Sequence, residues 1–251
     1  MPYFLGVLLI GVVTGLLSGA FGIGGATITT PFLRDVLRSS GHIALGTPLP
    51  IVILMAFSGA LVYHRKKLIR YEIALPCALA GSLTAIFTAS CTQYLSGRAL
   101  MLITSLYIGI VAVKFWKGTP RRKARRGRKL LSSFLIGLVG GGVSGFLGVG
   151  GGIVLVPGFT LLLGLPIHQA IGTSLLTMAL YSIPGSVVHY LLGHVDLGLL
   201  PPLLLGSVVG AQGGARLAVR AREPKLRNLF TVYLFIVAAV MAAFEIFHIV
   251  K

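Results

Sequence analysis

The chain has 251 residues, of which 55% are hydrophobic and only 11% charged, with a net charge of +17 and a mean hydropathy of +0.94. Soluble domains carry about 25% charged residues, so the composition excludes a soluble globular protein and identifies an integral membrane protein. A nucleic-acid partner is also set aside: nine of the 22 basic residues fall between Lys114 and Lys129 and most others in short loops. There Lys and Arg set the orientation of membrane helices, with lipid headgroup or partner binding as the lesser alternative.

In chain order the apolar stretches run over 3–20, 24–38, 43–63, 71–92 and 98–116, then 131–147, 150–164, 167–192, 197–219 and 226–249. The first resembles a secretory leader because it ends in small residues, but it lacks the basic start that such a leader needs. It is therefore kept as mature structure. Cys77 and Cys91 share one expected helix. Their 14-residue spacing spans about 21 Å along it, so they are read as buried packing residues and not as a disulfide.

The two halves repeat. "SGAFGIGGATITTPFL" from Ser18 is answered 126 residues later by "SGFLGVGGGIVLVPGF" from Ser144, and "HIALGT" from His42 by "HQAIGT" from His168. At the same offset Gly59 aligns with Gly185, Pro76 with Pro202, and Tyr63-His64 with His189-Tyr190. The domain reading is a first membrane repeat over 1–117, a basic cytoplasmic linker over 118–129 and a second repeat over 130–251.

Loop charge gives the relative orientation. "HRKKLIR" is basic while its counterpart "LGHVDL" has neither Lys nor Arg, and the next pair of loops reverses the bias. Equivalent loops then face opposite sides, which makes the repeats inverted. If 3–20 and 24–38 form a hairpin that returns to its starting side, the 22 Lys and Arg divide 18 to 4. That split puts the linker in the cytoplasm and both termini outside it. The expected fold is an all-α integral membrane protein of two inverted structural repeats. Each repeat is a glycine-tipped helical hairpin plus three transmembrane helices. Whether both hairpin arms cross the membrane stays open, since 15 residues of helix reach only about 22 Å.

Each hairpin tip reads Ser-Gly-x-x-Gly-x-Gly-Gly. Glycine allows positive φ and close backbone approach, and a helix starting after such a turn presents unpaired N–H groups and a partial positive charge. Together these make an anion site built of backbone. Ser18, Gly19, Gly22, Gly24, Gly25 and Thr27 are the candidates from the first copy. Ser144, Gly145, Gly148, Gly150, Gly151 and Gly152 are those from the second. The competing reading is that the small residues only let helices pack closely. A soluble dinucleotide fingerprint is excluded, because no strand precedes the glycines.

The five acids, Asp35, Glu72, Asp196, Glu223 and Glu245, all fall at or near expected helix ends, which leaves no central cation ligand and nothing to repel an anion. Hydroxyls are plentiful instead, with Thr47, Thr173 and Ser174 among the candidate substrate-binding groups. Gln212 donates to substrate or bonds a neighbouring helix. His42 and His168 are either ordinary helix-end residues or groups whose protonation couples to an anion, since histidine titrates near neutral pH. His189, inside an expected helix, is a third proton-coupling candidate. No catalytic residue, metal ligand or cofactor is expected: the histidines are scattered and the cysteines lack metal spacing.

These motifs resemble the sulfite exporter TauE/SafE family of bacterial membrane transporters. The resemblance rests on "SGAFGIGGATITTP" and "SGFLGVGGGIVLVP", on "ALGT" and "AIGTS" after them, and on the linker position, and it covers essentially the whole chain. One departure is Ala26 where the second copy has Gly152, so the first tip is expected to be less open. The resemblance implies a non-enzymatic secondary transporter in the bacterial inner membrane. Its implied cargo is a small sulfur-containing or organic anion, such as sulfite, thiosulfate or an organosulfonate, moved by alternating access. The alternatives are an anion channel and, less favoured, an intramembrane enzyme. The partners implied are the anionic substrate and the lipid bilayer.

Overall fold

The structure is a computed structural model that describes residues 2–36, 39–94, 109–110, 113, 126–148 and 150–250. Most of the fifth apolar stretch and most of the basic linker lie outside the described residues. Among those described, every regular element is helical. Helix α1 (Pro2–Phe21) is followed by the first glycine tip, the short α2 (Ala26–Pro31) and a π-helical turn (Phe32–Val36). Then come α3 (Gly41–Gly46), α4 (Pro48–Arg65) and α5 (Tyr71–Cys91), with a 3₁₀ turn at Thr92–Tyr94. The second half holds α6 (Arg126–Leu147), α7 (Gly152–Leu161), α8 (Ile167–Leu191), α9 (Leu200–Arg220) and α10 (Glu223–Val250).

Local chemistry explains several of these boundaries. The Ser40 hydroxyl caps α3 by accepting the Ile43 N–H at 3.4 Å. Pro48 divides α3 from α4, standing at a helix start where a missing N–H costs nothing. Cys77 and Cys91 both lie in α5 as free thiols.

Among the described residues four segments are long and apolar enough to cross a membrane: Gly41–Arg65, Tyr71–Cys91, Lys129–Phe146 and Ile167–Leu191. The chain is therefore a multi-pass membrane protein. Its outer surface agrees. Leu75, Leu79, Leu83 and Phe87, one turn apart on α5, are 52–70% exposed, a row that water would not tolerate at this extent but lipid does.

The second hairpin arms settle what the sequence left open. The eleven helical residues of α2 and its π-helical turn, and the ten of α7, each reach only about 15–16 Å, against a hydrocarbon core of about 30 Å. Neither arm crosses.

The packing places the tips inside the bundle. Gly11, Gly15 and Gly19 on α1 lie against the backbone of Leu203, Ser207 and Ala211 on α9. Gly206, Gly210 and Gly214 return the contact against the Leu8, Val12 and Leu16 carbonyls. The rising register on both helices makes them parallel, so α1 ends near the midpoint of α9. The same arrangement recurs 126 residues away, where Gly137, Gly141 and Gly145 on α6 meet Cys77, Gly81 and Ala85 on α5. Small residues let backbones approach this closely where lipid supplies no hydrophobic drive between helices.

Helices α4 and α8, equivalent under the 126-residue shift, pack antiparallel. Tyr63 near the end of α4 meets Gly172 near the start of α8, Gly59 meets Leu175, and Gly46 before α4 meets His194 beyond the end of α8. Two hydrogen bonds obey the same shift. The Thr47 hydroxyl accepts the Asp196 N–H at 3.0 Å, and the Thr173 hydroxyl accepts the Arg70 N–H at 3.1 Å.

A Cβ on Gly15 or Gly141 would overlap the backbone of Ser207 or Gly81, whereas one on Gly6 meets nothing within 4 Å. Gly15→Ala and Gly141→Ala should each cost about 1–3 kcal/mol of overpacking, seen as a lower Tm of the detergent-purified protein. Gly6→Ala should leave Tm unchanged or raised. Equal melting of all three variants would refute the packing argument.

Candidate binding site at the paired glycine tips

Each tip is shaped by left-handed backbone that only glycine adopts without strain. Gly22 and Gly24 have φ of +66° and +83°, and their counterparts Gly148 and Gly150 have +61° and +73°. The tips differ at the next position: Gly151 is left-handed at +64°, whereas Gly25 is right-handed at −65°. Ala26 follows the right-handed Gly25 and Gly152 the left-handed Gly151, so the two short helices start differently.

The tips touch. A Cβ on Gly150 would lie 3.4 Å from the Gly24 Cα, and one on Gly152 would overlap the Gly22 carbonyl and sit 2.6 Å from the Ile23 Cα. Gly152 is thus required for contact between the copies. Irregular backbone inside a membrane must have its polar groups met by protein or water, and here side chains meet the carbonyls. The Ser174 hydroxyl donates to the Gly22 carbonyl at 2.8 Å, and the Tyr181 hydroxyl to that of Gly150 at 2.6 Å. Thr29 donates to the Gly25 carbonyl at 3.1 Å, and Thr27 shares a 2.7 Å hydrogen bond with Tyr233. The carbonyls of Gly22, Gly25 and Gly150 are thus met by hydroxyl donors within the fold.

Behind the tips a pair of equivalent bonds differs in chemistry. The Tyr63 hydroxyl donates to the Gly19 carbonyl at 3.2 Å, and at the matching place His189 Nε2 meets the Gly145 carbonyl at 3.1 Å. Gly19 and Gly145 therefore serve helix packing and anchoring.

Ser18 and Ser144 are each 1% exposed. Among the described residues their hydroxyls have no hydrogen-bond partner, nor do those of the buried Thr30 and Ser182. An unsatisfied buried hydroxyl costs about 1–3 kcal/mol. The serines hold identical repeat positions one turn before each tip, and their carbonyls accept the Gly22 and Gly148 N–H groups at 2.6 and 2.9 Å.

Other sequence candidates are engaged elsewhere. Thr47 and Thr173 hold the loops before α9 and α5. The Gln212 amide oxygen accepts from Arg216 at 3.2 Å in a basic cavity. His168 Nε2 lies 3.1 Å from both the Ala218 and Ala221 carbonyls and closes the end of α9. Its repeat counterpart His42 instead stacks on His194, with ring centroids 4.8 Å apart. His194 Nδ1 in turn lies 3.4 Å from the Nδ1 of His189. Since a carbonyl only accepts, His189 Nε2 carries a hydrogen, and a neutral His189 leaves Nδ1 to accept from His194. The cluster has Asp196 two residues away, its carboxylate bound to the Gly198 N–H at 2.8 Å. Among the described residues no three His, Cys, Asp or Glu side chains are arranged to hold a metal ion.

No motif in the sequence marks Tyr181, Tyr233 or His194. Tyr181 aligns with Met55 in the other copy, so the repeat hides it. Tyr63 is visible in the sequence only as a polar position aligned with His189, itself a proton-coupling candidate there.

A helical, multi-pass chain with two buried backbone tips at mid-bundle has the construction of a membrane transporter. The comparisons agree. The chain is 27% identical over 238 residues to a probable membrane transporter protein of Xylella fastidiosa, covering 92% of this chain and 90% of that one. It is 26% identical over 216 residues to the probable membrane transporter protein YdhB of Bacillus subtilis, covering 84% and 88%. A probable membrane transporter protein of Haemophilus influenzae is 26% identical over 261 residues, covering 92% and 95%. No solved structure matches the chain. The sulfite exporter TauE/SafE family matches residues 7–241, and the chain belongs to it. The protein is a membrane transporter and not an enzyme.

His194, in the loop beyond α8, has its pKa lowered from 6.5, first by burial and then by the charge of His42. The unfolded chain therefore takes up this proton at higher pH than the folded one. The stability contribution is complete above the ordinary histidine value and is lost as pH falls through the folded value. His194→Gln should flatten the fall in Tm between about pH 7 and 5. An unchanged slope in thermal melts would count against the cluster.

Proposed function

We propose that the protein is a secondary transporter that binds a small anion at the paired glycine tips and moves it by alternating access. One observation carries this reading: Ser18 and Ser144, in equivalent positions beneath the touching tips, are buried hydroxyls without partners among the described residues. A carboxylate in the same place would repel an anion. Among the acids with described side chains, Glu72 is exposed in the first turn of α5 and Asp196 lies in the loop before α9. The cargo proposed is a sulfur-containing or small organic anion of the sulfite, thiosulfate or organosulfonate kind, whose oxygens accept several hydrogen bonds at once.

Inverted repeats support alternating access, because two copies of opposite orientation can exchange conformations about a fixed site. The antiparallel packing of α4 on α8 and the exchanged Thr47 and Thr173 hydrogen bonds support the inversion. The 18 to 4 division of Lys and Arg supports placing the central linker in the cytoplasm and both termini outside, in the bacterial inner membrane. Proton coupling is proposed for His42, His194 and His189. They form a chain ending on the Gly145 carbonyl, whereas the equivalent bond to Gly19 comes from Tyr63, which does not titrate near neutral pH. His168 is better read as closing α9. The His194→Gln variant should then also lose the pH dependence of uptake into proteoliposomes.

The serine pair supplies the test of the site. Ser18→Ala and Ser144→Ala should leave Tm unchanged or raised, since each removes an unsatisfied buried hydroxyl. Each should also weaken sulfite or sulfonate binding about ten- to a hundredfold, for a lost bond of about 1.5–3 kcal/mol to a charged group. The double variant should depart from additivity because one ligand is shared. Unaltered anion binding, measured calorimetrically in both single variants, would overturn the site. The topology is tested by single cysteines introduced into a version lacking Cys77 and Cys91. Sites at 118–125 should resist an impermeant thiol reagent on intact cells, and ready labelling there would reverse the orientation.

A further inference from the structure

A second site lies away from the glycine tips. The last turns of α4 and α9 enclose a cavity of about 540 Å³ bordered by Arg65, Lys66, Arg216 and Arg220. Among the described residues no carboxylate pairs with Arg65, Lys66 or Arg220, and Arg216 donates to the uncharged Gln212. Basic residues in last helical turns are commonly explained by the helix dipole alone. That explanation accounts for each cation singly. It does not account for four cations of two helices gathered round one cavity, where their mutual repulsion favours a bound anion.

The walls show which anion. Leu61, Val62 and Val219 form the apolar side of the cavity. On α4 the row Phe57, Leu61, Arg65, in four-residue steps, passes from apolar to basic within one turn. On α9 the row Leu205, Val209, Gln212, Arg216, Arg220 does the same. The apolar members are 40–69% exposed, on the outer surface that faces lipid. A free phosphate or substrate anion has no use for this apolar approach. A phospholipid has the same gradient: acyl chains along the upper row and a phosphate at the basic end.

We propose that this cavity binds the phosphate headgroup of an anionic phospholipid, with the acyl chains lying over Phe57, Leu61, Leu205 and Val209. Basic pockets between membrane helices suit such headgroups. The proposal is independent of which anion the glycine tips carry.

Native mass spectrometry of the delipidated full-length protein, titrated with phosphatidylglycerol or with phosphatidylcholine, tests it. Wild type should retain phosphatidylglycerol preferentially. Arg216→Gln combined with Arg220→Gln should lower that retention about twenty-fivefold, at roughly fivefold per basic residue, with phosphatidylcholine retention unchanged. Arg65→Gln with Lys66→Gln is the second pair and should do the same, so that a folding defect in one pair does not decide the outcome. Inorganic phosphate serves as the free-anion arm, read by thermal melting beside phosphatidylglycerol. Equal retention of the two lipids, no loss in either charge-removal pair, or stabilisation by inorganic phosphate equal to that by phosphatidylglycerol would overturn the proposal.

Discussion

The structure depends on keeping irregular backbone satisfied at mid-bundle. A glycine tip breaks helical hydrogen bonding where lipid offers no substitute partners, so every exposed carbonyl needs a donor from elsewhere in the fold. Ser174, Tyr181, Tyr63 and His189 supply donors to the carbonyls of Gly22, Gly150, Gly19 and Gly145. The Ser174 bond joins one repeat to the other, and the remaining three tie a later helix of each repeat back to its glycine-rich hairpin. The tips can exist only inside the assembled bundle, and this explains why α2 and α7 are short apolar pieces held by longer helices.

Close helix packing and the shaping of the tips draw on the same glycine-rich motif. Gly19 and Gly145 are consumed by contact with α9 and α5, while Gly22, Gly24, Gly148 and Gly150 are turned to left-handed conformations that shape the tips. Contact between helices places the tip, and positive φ then aims its backbone. The glycine-rich motif is long because it does both jobs in succession.

The repeat is close but unequal, and the inequalities fall at chemically meaningful places. Tyr63 and His189 make the same bond with groups of different proton affinity. His42 stacks in a histidine cluster, whereas His168 closes a helix end. Gly25 and Gly151 differ in hand.

The sequence by itself determined the membrane class, the helical content, the duplication and the position of both tips. Each is written in hydropathy, in glycine spacing and in an offset of 126 residues, and none needs a long-range contact to be read. It also kept the two cysteines in one helix. It did not show that the second hairpin arms stop short, because apolar run length ignores the π-helical turn after Pro31 and the break before Pro166. Only the tertiary structure decided which hydroxyls are free. Thr47, Thr173 and Ser18 look alike as apolar-segment hydroxyls, yet the first two accept loop N–H groups from the opposite repeat and the third has no partner among the described residues. It likewise gathered His194 with His42 and His189, and set Gln212 in a basic cavity. Whether a polar side chain is spent or available depends on neighbours brought from about 50 to 150 residues away, and no local pattern records them.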